Sequence, residues 1–412
     1  MKKILPIYII LNMIFITICS SLIINGVMYY KLLSYGYIFF LVLNIIMIFF
    51  IKKKFSVADV FLLCIVLFSF ISVIFAKNRT VAIWGEFIRY EGLFSILYYL
   101  TLYYVSSYVG DKYKKIVIYS FLFCGFINLV YSIFLVTNVG DFKRVYVDNR
   151  IWANGFTTNP NFFATYMLLC LGYSIGLFID EKNNIFKFIN ASLIFLFMIG
   201  ILISNTMSCV VGTIAILIYV IIHCIKNKKF IKVPIIIALI LLAFILIYSA
   251  DLTTLKKDFI KTVKQTKEIA KGNLDDKFGT NRLFIWKNTM KIVPKYLLTG
   301  AGIDNFYYAF GDRPLKNGKW VFDKAHNEYL QTLICEGIFG LVSYLLLYGI
   351  IIIRGIKNKK IYLLIPVIGY LTQAFFNISV IEVAPFFYIS LGLLVDRGIL
   401  NEESKCNNTC TQ

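Results

Sequence analysis

Histidine is almost missing from this chain, with His223 and His326 the only two among 412 residues. Any proton transfer that needs an imidazole therefore has two places to happen. Cysteine is present but never at a metal-ligating spacing. Cys19, Cys64, Cys124, Cys170, Cys209 and Cys335 lie inside apolar runs, where a free thiol behaves as a small hydrophobe. Cys406 and Cys410 sit in a polar tail, where two unpaired thiols facing a reducing cytosol are the plain reading, against a zinc site or a disulfide. Polar composition is lacking as well: 59% of the residues are hydrophobic and 17% aromatic, whereas the apolar share of soluble domains is about half. That excludes an ordinary soluble domain and leaves an integral membrane protein. A continuous basic face is missing despite the net charge of +20, because Lys and Arg fall in short clusters between apolar runs. Nucleic acid is excluded as a partner, and the clusters read as topology signals and contacts with anionic membrane lipids. No small-residue cleavage site follows Lys2 and Lys3, so the first apolar run reads as a retained helix. No internal repeat or low-complexity linker divides residues 1–412, which are expected to form a single polytopic membrane domain.

About 20 apolar residues cross a bilayer core of ~30 Å. On that measure the chain is all-α with about twelve transmembrane helices, near residues 4–26, 35–51, 57–76, 93–110, 116–137, 161–179, 188–204, 207–225, 233–249, 329–353, 361–377 and 384–396. Alternate connections carry lysine clusters: 52–54, 112–115, 182–187, 226–232 and 354–360. By the positive-inside rule these connections and both termini are expected to be cytoplasmic. Residues 77–92, 138–160, the turn near Asn205, a long loop over 250–328 and residues 378–383 are then expected outside.

The expected outer segments hold Arg79, Arg89, Arg144, Arg150, Arg282, Arg313 and His326, leaving only Arg354 and Arg397 elsewhere. The planar fork of arginine grips phosphate or carboxylate through two bonds, whereas lysine serves as a general topology charge. An anionic ligand is therefore expected on that face. Within the long loop, Leu252, Leu255, Phe259, Val263 and Ala270 recur at helical spacing opposite Lys256, Lys257, Lys261, Lys264, Lys267 and Lys271. The pattern predicts an amphipathic helix lying on the bilayer or capping the bundle. A second short helix is expected over 282–293, stopping at Pro294.

Asp323 or Asn327 can cap a helix that begins near His326. The positive end of that helix disfavours an imidazolium, leaving His326 neutral and able to accept a proton. The residues leave a second reading open, a histidine that merely caps or hydrogen-bonds at the interface. Arg282 likewise reads either as a ligand-binding cation or as a solvated charge paired with Asp275 or Asp276. Glu336 is expected ~15 Å below His326 at 1.5 Å per residue, nearly alone among ionisable groups at that depth.

Three stretches in order, Gly279-Thr280-Asn281-Arg282-Leu283-Phe284-Ile285-Trp286-Lys287, Thr299-Gly300-Ala301-Gly302-Ile303-Asp304-Asn305-Phe306 and Ala325-His326-Asn327-Glu328-Tyr329-Leu330-Gln331 with Glu336-Gly337-Ile338-Phe339-Gly340, resemble the O-antigen ligase and polymerase superfamily of bacterial envelope glycosyltransferases. Weaker pieces, Trp84-Gly85 with Arg89-Tyr90-Glu91-Gly92, Gly155-Phe156 with Asn159-Pro160-Asn161, and Phe376-Asn377-Ile378-Ser379, extend the resemblance over most of the chain. It implies a GT-C-like bundle at the bacterial plasma membrane. Such a bundle moves a glycan from an undecaprenyl diphosphate carrier to a glycan, lipid or protein acceptor on the outer side, by inversion and without a metal. It implies His326 as the base that activates the acceptor hydroxyl and Arg282 as a ligand of the lipid diphosphate. Arg89, Arg150, Asn159 and Asn327 are the further substrate-binding candidates.

One position departs from the pattern. Many members carry a Ser-Arg pair where this chain has Ser204-Asn205-Thr206-Met207-Ser208, and Met207 takes the place of the arginine. Arg89 or Arg150 is expected to replace it. No cofactor is implied. No acidic residue lies in the first outer loop near 27–34, and Asp275-Asp276 reads as a solvated turn rather than a metal pair. The rival readings are a transporter or flippase of polysaccharide precursors and a catalytically degenerate scaffold of envelope assembly.

Overall fold

The computed structural model describes residues 3–21, 27–51, 55–87, 89–140, 146–147, 150–251, 253–272, 278–311, 313–315, 318–320, 322–395 and 397. In lipid an apolar segment can satisfy its own N–H and C=O groups only as a helix or within a closed barrel, and this chain is helical. In order it forms α1 Ile4–Ser21, α2 Val27–Phe50, α3 Val57–Ile74, α4 Arg79–Trp84, α5 Leu93–Ser106, α6 Asp111–Thr137, α7 Pro160–Asp180, α8 Asn184–Ile203, α9 Met207–Lys226, α10 Lys232–Ala250, α11 Leu255–Ala270, α12 Phe278–Tyr296, α13 Phe306–Phe310, α14 Glu328–Lys357, α15 Ile361–Gln373 and α16 Ala384–Val395. Two small antiparallel ribbons, β1 Tyr146–Val147 with β2 Arg150–Ile151 and β3 Arg313–Leu315 with β4 Gly318–Trp320, decorate connections. Among the described residues eight helices are long and apolar enough to cross a membrane, and α1, α5, α15 and α16 are shorter apolar helices. Every expected span falls on one of these elements, which together make a multi-pass membrane protein.

Helix α7 runs through the centre and is buried without interruption from Phe162 to Ile179. Lipid is as apolar as a side chain, so helix association there rests on close packing and interhelical hydrogen bonds. Gly172 and Gly176, one turn apart on α7, let α15 approach closely. A Cβ at Gly172 would lie 2.6 Å from the Pro366 Cα, and one at Gly176 2.3 Å from the Tyr362 Cα. Polar bonds tie α1, α2 and α5: the Tyr8 hydroxyl donates to Asn44 Oδ1 at 2.7 Å, Asn44 Nδ2 to Thr101 Oγ1 at 3.0 Å, and the Tyr98 hydroxyl to Asn12 Oδ1 at 3.0 Å.

The connections sort to two ends. At one end Lys360 meets Asp111, Lys115 meets Glu181, Lys229 meets Asp180, and Arg397 meets Asp59. The expected cytoplasmic clusters over 112–115, 182–187, 226–232 and 354–360 thus share one end, while 52–54 lie outside the described residues. At the other end Asn78 bonds Asn305, Arg89 bonds Asp323, Thr158 bonds Glu382, and Asn205 bonds Thr254.

Three local expectations are corrected. Residues 27–34 are not a loop but the first two turns of α2, since the sequence there is mostly apolar and aromatic and runs on into the span from Leu32. Helix α12 runs through Pro294 to Tyr296. Tyr296 is buried in a small second core with Ile285, Ala301, Phe306 and Ile334, and that packing outweighs the one missing N–H in the last turn. Helix α14 is broken at Gly337, whose φ of 77° is far from helical. The carbonyls freed by the break accept from the turn between α12 and α13: Ala301 N donates to Ile334 O at 2.8 Å and Gly302 N to Cys335 O at 3.1 Å. In return Ile338 N donates to Leu297 O at 2.7 Å. Irregular backbone within a span is tolerated where protein groups satisfy it in this way.

Candidate active site

Four segments meet at the end of the bundle opposite the basic clusters: the α4–α5 connection, the α12–α13 turn, the residues before α14, and the α15–α16 connection. Their hub is Lys324. Its ammonium, 3% exposed, pairs with Asp304 and lies 3.5 Å from Glu91 Oε2. Glu91 also accepts from the Ser379 hydroxyl at 2.8 Å, and Asp304 Oδ2 accepts from Glu86 N at 2.7 Å. Burial alone would lower the Lys324 pKa, but Asp304 and Glu91 outweigh it and raise it. Burial pushes the Glu91 carboxyl up, against the pull of Lys324. One buried cation therefore staples all four segments.

His326 follows two residues later with φ +49°, and positive φ also occurs at Tyr90, Asn281 and Asp304. A non-glycine residue held there is strained by on the order of 1–3 kcal/mol and persists only where its surroundings over-determine it. These four immediately precede or occupy the positions of Glu91, Arg282, Asp304 and His326. Asn327 caps α14, its Oδ1 accepting from Leu330 N at 3.0 Å. The imidazole pKa is pushed down to about 4, first by burial, then by the Arg282 charge and, more weakly, by those of Arg89 and Lys324, with Asp323 opposing. His326 is thus neutral at physiological pH, as the helix-end argument expects, but burial and Arg282 are the leading causes.

Arg282 lies one turn into α12 and donates from Nη1 to Gly279 O at 3.2 Å. Burial lowers the pKa of its guanidinium. Asp275 and Asp276, the alternative partners, lie outside the described residues. In the next turn the indole N–H of Trp286 donates to Ala325 O at 3.0 Å, fastening α12 to the backbone one residue before His326. Arg89 donates from Nε and Nη2 to Asp323 Oδ2 at 3.0 and 2.8 Å and lies over the Phe162 ring, 5.6 Å from its centroid. The Asp323 carboxyl loses solvation yet is held below its ordinary range by Arg89.

The charges acting on His326 show that the structure brings it with Arg282 and Arg89 into one mouth, together with Asp323 and Lys324, where Asp323, Asp304 and Glu91 balance the cations. Asn159 stands at the start of α7, its Oδ1 accepting from Asn161 N at 2.9 Å, so like Asn327 it serves as a cap. Arg150 contributes backbone to the β1–β2 ribbon, opposite Val147, and Arg144 lies outside the described residues. Met207 opens α9 and packs half-buried against the main core. Among the described residues no three His, Cys, Asp or Glu are grouped so as to hold a metal ion.

Below the mouth lies a cavity of about 70 Å³ lined by Glu91, Asp304, Lys324, Glu328 and Glu336 with several tyrosines. Glu336, expected nearly alone at its depth, lines this cavity with those groups. The break at Gly337 lets the 297–302 turn reach down to it, and Glu336 accepts from the Ser69 hydroxyl at 2.7 Å. Sequence reasoning missed the Lys324 hub because a lysine in a connection reads as solvated. The only signal was its place between Asp323 and the Ala325-His326 step.

Residues 191–345 match the family model described as O-Antigen ligase. The match supports the O-antigen ligase and polymerase superfamily. It takes in Arg282, Asp304, Lys324, His326 and the break at Gly337, while Arg89 and Glu91 enter the same site from outside the matched segment. The superfamily implies glycosyl transfer of the ligase or polymerase type at a membrane, with lipid-linked oligosaccharide and glycan acceptors in general. No curated protein matches the chain.

Proposed function

We propose that this protein transfers or polymerises oligosaccharide from an undecaprenyl diphosphate carrier onto an acceptor at the outer face of the bacterial plasma membrane, as a metal-independent, inverting transferase with a GT-C-like bundle. The observation that carries this reading is the neutral imidazole of His326 set among the guanidinium groups of Arg282 and Arg89. His326 takes the proton of the acceptor hydroxyl while its oxygen bonds to the anomeric carbon. The bond from that carbon to the diphosphate breaks, and the departing charge is met by Arg282 and Arg89. As the diphosphate arrives, it offsets the cations that depress the imidazole, making His326 a stronger base when substrate is bound. The loop over 250–328 and the site then face outward, and both termini face the cytosol. Arg89 supplies the cation that Met207 does not, with Asp323 orienting it.

Purified protein in proteoliposomes with lipid-linked oligosaccharide tests the proposal. Glycan joining that is lost in His326→Ala and Arg282→Ala, at normal yield and fold, supports it. Unchanged joining in either variant refutes the assigned role, and loss on adding a chelator refutes metal independence. A second reading, a transporter of such precursors, is favoured by the buried carboxylates around the cavity, since pathways through membranes are lined by such groups. Movement of the lipid across the bilayer without joining would select it.

A further inference from the structure

Helix α11 takes no part in the site just described. Lys256, Lys257, Lys261, Lys264, Lys267 and Lys271 are all exposed on it or directly after it. Acidic residues oppose them at only two positions: Asp258 accepts from the Thr254 hydroxyl at 2.6 Å, and Glu268 pairs with Lys271 at 3.0 Å. At 100° per residue, Leu255, Phe259 and Val263 share an arc of roughly 80°, and the lysines centre on the far side. Leu255 is buried, but Phe259, Ile260 and Val263 are 41%, 57% and 39% exposed.

The first turns are moored to the end of a span. The Phe259 ring packs edge-on to Phe244 of α10 at 5.8 Å, the Lys256 ammonium sits over Tyr248 at 5.4 Å, and Asn205 Nδ2 donates to Thr254 at 3.1 Å. Phe244 stands six residues before the last residue of α10, Ala250, or ~9 Å along the helix at 1.5 Å per residue. Phe259 therefore reaches back below the rim of an apolar span, and α11 runs at the boundary where hydrocarbon gives way to headgroups.

We propose that α11 is a docking helix for anionic phospholipid, with Phe259 and Val263 in the acyl boundary and the lysines on the headgroup phosphates of the surrounding bilayer. The proposal is independent of the reaction assigned to the site. Lysines on an interfacial helix attract anionic lipid in proportion to their number, and salt screens the attraction.

The test is amide hydrogen exchange of the full protein in nanodiscs of phosphatidylcholine alone or with 30% phosphatidylglycerol. Exchange over 255–270 is expected to slow roughly tenfold with the anionic lipid and to revert on raising the salt or in Lys257→Gln/Lys261→Gln/Lys264→Gln/Lys267→Gln. These side chains are exposed, so the variant is expected to keep the fold. A second variant, Phe259→Ser, keeps the charges and is expected to lose protection in both lipids. Equal exchange in both nanodiscs overturns the proposal. So does protection by polyprenyl diphosphate added to phosphatidylcholine with none by phosphatidylglycerol, which would make α11 a substrate-capture element.

Discussion

Replacing Lys324 by Met keeps the length of the side chain and removes the one cation buried between Asp304 and Glu91. Those carboxyls are 0% and 8% exposed, so after the change they must either stay charged without a partner or take up protons. Breaking a buried pair from one side costs about 3–5 kcal/mol. Protonation caps the loss, because neutralising one aspartate at pH 7 from an ordinary pKa of ~3.9 costs about 4 kcal/mol. The two routes agree. Asp304 is the nearer partner and carries most of the loss, since burial already pushes Glu91 toward its neutral form. The sign with pH follows. In Lys324→Met the carboxyl has a folded pKa above its unfolded value, so the stability present below about pH 4 is lost as pH rises, by up to ~1.4 kcal/mol per unit for each group. Unfolding of the detergent-purified protein at pH 5 and pH 8 measures it. The loss relative to the parent protein is expected to be far larger at pH 8 than at pH 5, and Lys324→Met/Asp304→Asn/Glu91→Gln to recover most of it. A single variant within about 1 kcal/mol of the parent, or a triple no better than the single, would refute the reasoning.

The depressed imidazole of His326 predicts transferase activity of the free enzyme that does not fall at the usual histidine pKa near 6.5 and holds until the pH approaches about 4. For stability the sign is that of a half-buried neutral base: the contribution is present above pH ~6.5 and lost as pH falls toward about 4. His326→Gln is expected to abolish that acid sensitivity, read as the difference in unfolding between pH 7 and pH 4.5. Gly337→Ala is expected to destabilise by roughly 1–3 kcal/mol, because φ is +77° and the new Cβ would lie 2.8 Å from Leu298 O; an unchanged unfolding midpoint would count against the helix break. Reporter fusions after residues 228 and 320 are expected on opposite faces of the membrane, and a shared face would overturn the assigned orientation.

Much of the architecture was readable from sequence because a bilayer imposes a length and a polarity on each helix. Helix α7 was expected over 161–179 and runs Pro160–Asp180, and α10 was expected over 233–249 and runs Lys232–Ala250. The amphipathic pattern of α11 was equally plain, since a 3.6-residue period needs no knowledge of neighbours. His326 and Arg282 stood out because each is a rare residue type in a distinctive run. The break at Gly337 was not legible, because the groups that satisfy it come from Leu297, Ala301 and Gly302, more than 30 residues away.

Sequence by itself thus determined the multi-pass helical class, the limits of most spans and the lysine-rich helix, which follow from composition and period along the chain. The candidacy of His326 as base and Arg282 as its cation came from the family resemblance of the runs that hold them. Only the tertiary structure decided that Lys324 is buried between Asp304 and Glu91 and that Arg89 joins the site through Asp323. It also decided that Glu336 shares a cavity with other carboxyls. Charges and hydrogen bonds act through space, and the partners of Lys324 come from positions 20 and 233 residues away. No local pattern encodes that meeting.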